Sequence, residues 1–348
     1  VPRGPVAVFG ASNFPFAFGA CGGDTASALA AGNPAIVKGH PSHPGTSELF
    51  ARAVAAALDE CKLPVGMFAL LQGRRHELSA ALVRNPQIQA VGFTGSRRAG
   101  RALFDLASQR DVPIPVFAEM GSVNPIVILP AAIRERGDQI AKDLAASMLL
   151  GGGQFCTKPG VALVVGDAEH KFADALACEV KSAAPATMLN GTLRDSFSER
   201  AATMSSASGV KTVVAGTATA HAQHAPVLFE TSAEIFLREP ELHEEAFGPG
   251  GIIVECQSTE QAPVGRVIVN GSPTGVEVGR AIVHGGPSPA TTDSGPTSVG
   301  SAAIRRFVRP VAYQNTPQDL LPPALRDDNR LGIVRQVDGE WTKQPIVG

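Results

Sequence analysis

A cysteine set among glycines and a glutamate set among apolar residues are the side chains of this sequence best suited to chemistry. Cys156 lies in Gly151-Gly152-Gly153-Gln154-Phe155-Cys156-Thr157-Lys158-Pro159-Gly160. In such a stretch the backbone can come close to a ligand, which suits a nucleophile better than a packing residue. Glu119 follows Phe117-Ala118 and precedes Met120-Gly121, and apolar neighbours of this kind raise a carboxyl pKa by desolvation. A thiol that attacks and an acid that moves protons are the two halves of covalent chemistry at a carbonyl carbon.

The elements that must hold these groups have a regular rhythm. Short apolar runs at Pro5–Phe9, Ala35–Lys38, Met67–Leu71 and Gln89–Phe93 alternate with helical stretches at Asp24–Ala31, Ser47–Leu58, Glu77–Val83 and Arg98–Ala107, and Val116–Ala118 reads as a fifth strand. Strand and helix in alternation predict an α/β fold with a parallel sheet, whose ligands bind beyond the carboxyl ends of the strands. Glu119 stands at such an end. A second α/β region follows, with strands Pro125–Leu129, Val161–Val165, Thr212–Ala215, Gly251–Glu255 and Arg266–Asn270 and helices Gln139–Leu150 and Lys171–Lys181. Residues 285–300, rich in Gly, Pro, Ser and Thr, read as a long surface loop. The division expected is 1–120 for a dinucleotide-binding domain, 121–300 for a catalytic domain and 301–348 for a C-terminal segment packing back on the core.

Composition narrows the function classes. A net charge of −2 with 18% charged residues offers no basic surface for nucleic acid, and one Trp and one Tyr make no base-stacking platform. No apolar run has membrane-spanning length. Five scattered cysteines without a CxxC suit a reducing cytoplasm rather than a disulfide framework.

Glu119-Met120-Gly121 with Asn124-Pro125, then Gly153-Gln154-Phe155-Cys156, then Glu245-Ala246-Phe247-Gly248-Pro249 resemble the three signature motifs of the NAD(P)-dependent aldehyde dehydrogenase superfamily, in order. Asn13-Phe14-Pro15-Phe16 resembles the family's oxyanion asparagine segment, and Phe93-Thr94-Gly95-Ser96 its pyrophosphate-binding turn. Val269-Asn270-Gly271, Pro273-Thr274-Gly275-Val276 and His284-Gly285-Gly286-Pro287 are similar to the branch holding NADP-dependent fatty aldehyde dehydrogenase and α-ketoglutaric semialdehyde (2,5-dioxopentanoate) dehydrogenase. The resemblance implies an aldehyde substrate and a homo-oligomer, a dimer or tetramer. It also implies Cys156 as nucleophile, Glu119 as the base that activates water against a thioester, Asn13 with the backbone N–H of Cys156 as oxyanion donors, and His284 near the thiol. Cofactor contacts fall on Lys38, Pro41, Arg74, Arg75, Gly95, Ser96, Met120, Glu245 and Phe247. NAD-selective relatives carry a glutamate where Pro41 stands. Without that charge a 2′-phosphate is tolerated, so NADP is expected, with NAD also accepted.

Other readings stay open. Gly19-Ala20-Cys21-Gly22-Gly23 fits the cysteine form of a hydrolase nucleophile elbow, and a non-catalytic binding protein of the same fold is a third class. Cys21, Cys61, Cys178 and Cys256 read as small buried hydrophobes. The HxxH pairs His40/His43 and His221/His224 read as surface loops rather than zinc ligands. Two features predict missing sequence. The chain opens at Val1 inside the nucleotide-binding sheet, and Cys256–Gly265 is too short for the crossover of roughly a dozen residues that a parallel pair needs.

Overall fold

Short runs of buried aliphatic residues build the first sheet. The structure, a computed structural model, describes residues 1–167, 169–257, 268–275, 278–279 and 281–346. Strands β1 (Val6–Phe9), β2 (Ala35–Lys38), β3 (Phe68–Leu71), β4 (Ala90–Thr94) and β5 (Val116–Glu119) are parallel in the order β3-β2-β1-β4-β5. Every residue of β1 is buried, as a central parallel strand covered on both faces must be. The crossovers are α1 (Gly23–Ala30), α2 (Pro44–Glu60), α3 (His76–Arg84) and α4 (Arg97–Ser108). Pro44 opens α2, where its missing N–H costs nothing. Ser96 caps α4, its Oγ accepting from the Ala99 N–H at 3.3 Å. With β2 on one side of β1 and β4 on the other, the connections diverge at β1 and leave a crevice at the strands' carboxyl ends.

The second sheet is built from β6 (Pro125–Ile128), β7 (Val161–Val165), β9 (Lys211–Val214), β12 (Val227–Ser232) and β13 (Gly250–Cys256), in the order β6-β7-β13-β12-β9. All are parallel except β9. Side chains alternate along β13. Ile253 joins the core under α5 (Pro130–Leu149) and α6 (Lys171–Ser182), while Ile252 and Val254 join Phe197 and Met204 of α7 (Gly191–Ser206) on the other face. A small antiparallel sheet of β8 (Ala186–Thr187), β10 (Ala218–Ala220) and β11 (Gln223–His224), and the short helix α8 (Ala233–Arg238), complete this region.

Strand positions expected from periodicity agree with the structure to within one or two residues. α5 starts at Pro130, well before the expected Gln139, and runs through a kink at Arg136, where φ is −151°. The charged run around that kink hid its first turns. β12 and α7 carry no expectation: Glu230 interrupts the apolar run of the strand, and α7 is largely polar. Residues 285–300 are irregular but are not a surface loop. Thr291, Thr297, Ser298 and Val299 are buried. Ala290–Thr292 lies antiparallel along the open edge of β5, with Met120 N–H donating to Ala290 O at 2.7 Å and Thr292 N–H to Ala118 O at 3.2 Å. Covering an unpaired strand edge outweighs the preference of this composition for solvent. The expected strand Arg266–Asn270 begins outside the described residues, and Ile268–Asn270 are not in a strand. The expected break at Cys256–Gly265 also falls largely outside them.

Pro2–Val308 forms one compact unit holding both sheets, and Val1 with Arg309–Gly348 forms another. In the first, the 3₁₀ turn Ser301–Phe307 packs on α1, and its Phe307 ring meets Phe117 of β5 edge-on at 5.7 Å. In the second, β14 (Arg335–Val337) and β15 (Glu340–Thr342) form a hairpin through Asp338-Gly339, both at positive φ as a tight two-residue turn requires.

Candidate active site

Three separate chain segments meet around Cys156, and glycines decide how closely. Gly151, Gly152 and Gly153 have φ of 59°, 67° and 66°, a left-handed run that side chains resist. A Cβ on Gly153 would stand 1.9 Å from the Gly248 carbonyl oxygen, so the cysteine loop and the Glu245–Pro249 segment touch backbone to backbone. Lys158 is 2% exposed and crosses the same junction, its Nζ donating to Ala246 O at 2.5 Å, Gly250 O at 2.9 Å and Gly248 O at 3.2 Å. From the Glu119 side, Asn124 takes φ +42° and its Nδ2 donates to Cys156 O at 2.7 Å and Lys158 O at 3.0 Å. Gln154 anchors the loop through Nε2 to Gly151 O at 3.0 Å, and its Oε1 accepts from Leu189 N–H at 2.9 Å.

Asn13 reaches this loop from the end of β1. Its Nδ2 donates to Gln154 O at 2.8 Å, and Phe14 packs edge-on to Phe155 at 5.0 Å. A primary amide has two N–H donors, so one remains for an oxyanion. Glu119 is close enough for its charge to act on Cys156. Burial, more than any other influence, pushes the Cys156 thiol up to about 11. The Glu245 and Glu119 charges raise it further, while the backbone N–H groups of Cys156 and Thr157 pull it down. Burial pushes Glu119 up to about 8, opposed by Arg306, raised by Asp24 and opposed again by a hydrogen bond from Ser298. Glu245 sits against Gly121, where a Cβ would lie 2.5 Å from its Oε2. Burial raises the Glu245 carboxyl and lowers the Lys158 ammonium, and each charge opposes the other's shift. At neutral pH the thiol is therefore protonated, and addition to a carbonyl needs a base beside it.

The remaining expected residues lie at the carboxyl ends of the first sheet. Register places Lys38 beside Phe9 and Leu71, and Thr94 beside Glu119. Exposed Gly95 and Ser96 open α4, and Gly95 N–H donates to Glu119 O at 3.0 Å. Arg74 and Arg75 are exposed at the start of α3, and Pro41 is exposed between β2 and α2. Burial lowers the Lys38 ammonium. His40 is pushed down to about 4 by burial, then by the His43 and Lys38 charges. Met120 packs against Gly100 of α4, and Phe247 is half-buried in the turn before β13. The N-terminus of α4, after a glycine where the chain turns and with exposed Arg97 and Arg98 in its first turn, fits a dinucleotide phosphate. His284 is held through its backbone, its N–H donating to Thr297 Oγ1 at 2.9 Å and its carbonyl accepting from Ser298 Oγ at 3.0 Å.

Some expectations are corrected. Cys61 and Cys178 are exposed, and Cys21 and Cys256 are half-buried. Cys61 caps α2 and Cys178 lies on the outer side of α6, so neither is a core hydrophobe. His224 is not in a surface loop: it is 2% exposed, its Nδ1 bonded to Ala225 O and its ring edge-on to Phe197 at 4.8 Å. His40 is half-buried as well. Lys158, Ser298 and Arg306 escaped the sequence reading, and Asn124 entered it only as part of a motif, with no role assigned. Only Asn124 carried a local signal, a left-handed turn former before proline.

The aldehyde dehydrogenase family pattern matches residues 1–279. The chain is 44% identical to alpha-ketoglutaric semialdehyde dehydrogenase 2 of Azospirillum brasilense over 376 positions, which take in 98% of this chain and 72% of that protein. It is 43% identical to alpha-ketoglutaric semialdehyde dehydrogenase of Acinetobacter baylyi over 378 positions, 98% of this chain and 71% of that protein. Both spans exceed the 348 residues present, so these relatives carry residues within the match that have no counterpart here. In fold the chain is like glyceraldehyde-3-phosphate dehydrogenase GapN of Methanocaldococcus jannaschii complexed with NADP, at a TM-score of 0.62 and 20% identity over 74% of this chain and 55% of that one. Among the described residues no helix is long and apolar enough to cross a membrane. With three motifs joined around one thiol and matches running nearly the length of the sequence, the chain belongs to the aldehyde dehydrogenase family, whose members oxidise aldehydes to carboxylic acids with NAD(P).

Proposed function

We propose that this chain oxidises α-ketoglutaric semialdehyde to 2-oxoglutarate, with NADP preferred over NAD, through intermediates carried on Cys156. The convergence of Cys156, Glu119 and Asn13 on one loop carries the mechanism. The two named relatives support the substrate. Glu119 takes the thiol proton, and the sulfur adds to the aldehyde carbon. The second N–H of Asn13 and the backbone N–H of Cys156 hold the oxygen of the thiohemiacetal. When bound, the coenzyme supplies the hydride acceptor, and Cys156 is left as a thioester. Glu119 releases the thiol's proton to solvent and, ionised again, removes a proton from water as it attacks that thioester; it returns this proton to the departing thiolate, and the acid leaves with the thiol restored.

Gly95 and Ser96 at the start of α4 would hold the pyrophosphate, Lys38 the adenosine ribose, and Glu245 with Phe247 the nicotinamide end. Arg74 or Arg75 would pair with a 2′-phosphate, which Pro41 does not repel. The cytoplasmic location proposed is supported by five free cysteines. A steady-state screen of 2,5-dioxopentanoate against short and long aliphatic aldehydes, each with NADP and NAD, tests the reading. The expected result is the highest kcat/KM for 2,5-dioxopentanoate with NADP. A tenfold advantage for long-chain aldehydes would assign the chain to fatty aldehydes instead, and a tenfold advantage for NAD would overturn the coenzyme.

A further inference from the structure

Beneath the carboxyl end of β5 lies a buried cation that the mechanism above does not use. Arg306 is 2% exposed, and its Nη2 pairs with Asp24 Oδ1 and lies 3.4 Å from Ser298 O. Its Nε and Nη1 are buried without a hydrogen-bond partner among the described residues. A buried guanidinium with two idle nitrogens is costly to hold, so its place in the fold calls for a use.

The backbone shows what it faces. Phe117 and Glu119, two residues apart, point to the same face of β5. Phe117 packs on Phe307, the residue after Arg306, at 5.7 Å. On the neighbouring strand Gly92 pairs with Phe117, and a Cβ there would come within 2.9 Å of Asp24 Oδ2. Asp24 of α1, Arg306 and Glu119 therefore share one corner under the sheet. The chain at Arg306 is fixed by Arg3, whose Nε donates to Arg306 O at 3.1 Å, and by Asn33, whose Nδ2 donates to Phe307 O at 2.9 Å.

We infer that Arg306 is the positioning residue for Glu119: its buried guanidinium, steadied by Asp24, supplies the positive charge that lets Glu119 ionise and act as the base in thioester hydrolysis. The inference rests on the role proposed above for Glu119. Burial alone favours the protonated acid, and the Arg306 charge is the largest influence opposing it. The other groups facing Glu119 are Asp24, which reinforces protonation, Ser298, whose hydrogen bond opposes it, and Cys156. Arg3, 5.9 Å from the Phe117 ring, is the further cation of this corner. The His284 carbonyl accepts from Ser298 N–H at 3.1 Å and from Ser298 Oγ at 3.0 Å, which fixes Ser298 in this corner.

The test compares wild type, Arg306→Gln and Arg306→Lys with NADP and the aldehyde turned over fastest in the screen, reading the burst of reduced coenzyme and the pH midpoint of the steady-state rate. For Arg306→Gln the burst amplitude stays within about twofold and the aldehyde KM is kept. The midpoint rises by about one pH unit, so the steady-state rate at pH 7 falls roughly tenfold. Arg306→Lys, which keeps the charge, returns the rate to within about threefold of wild type. A wild-type midpoint in Arg306→Gln overturns the inference, and so does loss of burst and steady rate in equal proportion. If Arg306→Gln does not fold, Asp24→Asn reads the same field from the other side: its midpoint moves down, and an unmoved midpoint overturns the inference. Failure of the parent reading is separate, since Glu119→Gln would then keep its full steady-state rate.

Discussion

Cys156 and Glu119 stand in an unusual relation for the nucleophile and base proposed above. The thiol is pushed up to about 11 and the acid up to about 8, both chiefly by burial. Neither group is poised on its own at neutral pH, so turnover follows the ionised fraction of Glu119. That acid works as a base only when deprotonated. Because its pKa is raised, its ionised fraction falls about tenfold for each unit below the midpoint. The hydrolysis-limited rate is expected to climb through pH 8 and flatten above it, and a flat profile from pH 6 to 9 would remove Glu119 from that step. Cys156→Ala is expected to abolish aldehyde oxidation while NADP binding, followed by titration, changes less than about threefold. Glu119→Gln is expected to slow the burst of reduced coenzyme, because the thiol loses its base, and to slow the steady state still more, so that a burst remains visible. Normal turnover by Cys156→Ala would end the covalent mechanism.

At the scale of elements, the site is a junction of loops fixed by backbone proximity rather than by side-chain packing. The Gly151–Gly153 turn brings the end of α5 against the segment before β13, with no room for a Cβ at Gly153. Gly153→Ala combines a left-handed backbone, costing roughly 1–2 kcal/mol for an L residue, with a clash against the Gly248 carbonyl that can be relieved only by moving that segment. The expected outcome is a lower Tm together with loss of the burst, because Glu245 and Cys156 are displaced together. An unchanged burst amplitude in Gly153→Ala would show that the junction is not needed to form the site. The first sheet does a different job, since its parallel strands end in register and line up Lys38, Gly95, Ser96 and Glu119 at one edge. That alignment follows from short apolar runs and regular crossovers, which is why it was legible from periodicity.

For the whole molecule, the described surface carries apolar side chains that a lone subunit would leave in water. Val65 is 88% exposed, Leu237 73% and Val112 70%, and exposed apolar side chains mark an interface where they form one contiguous patch. The homo-oligomer proposed for this chain is expected to appear in sedimentation velocity as a mass that is a multiple of one subunit's, and a single species at the mass of one subunit would refute it. By itself the sequence determined the α/β class and most strand positions, and it singled out Cys156 and Glu119, the proposed nucleophile and base, which the structure brings together. Those depend on features a few residues long: alternation of period, glycine runs and an isolated acid among apolar neighbours. Tertiary structure alone decided that Lys158 is buried beneath Glu245, that Ala290–Thr292 seals the edge of β5, and that His224 lies in the core. It also decided that Arg306 pairs with Asp24, 282 positions away. Nothing local distinguishes Arg306 from the exposed arginines of this chain, because its burial is set by which face of β5 the final 3₁₀ turn of the sheet unit comes to cover.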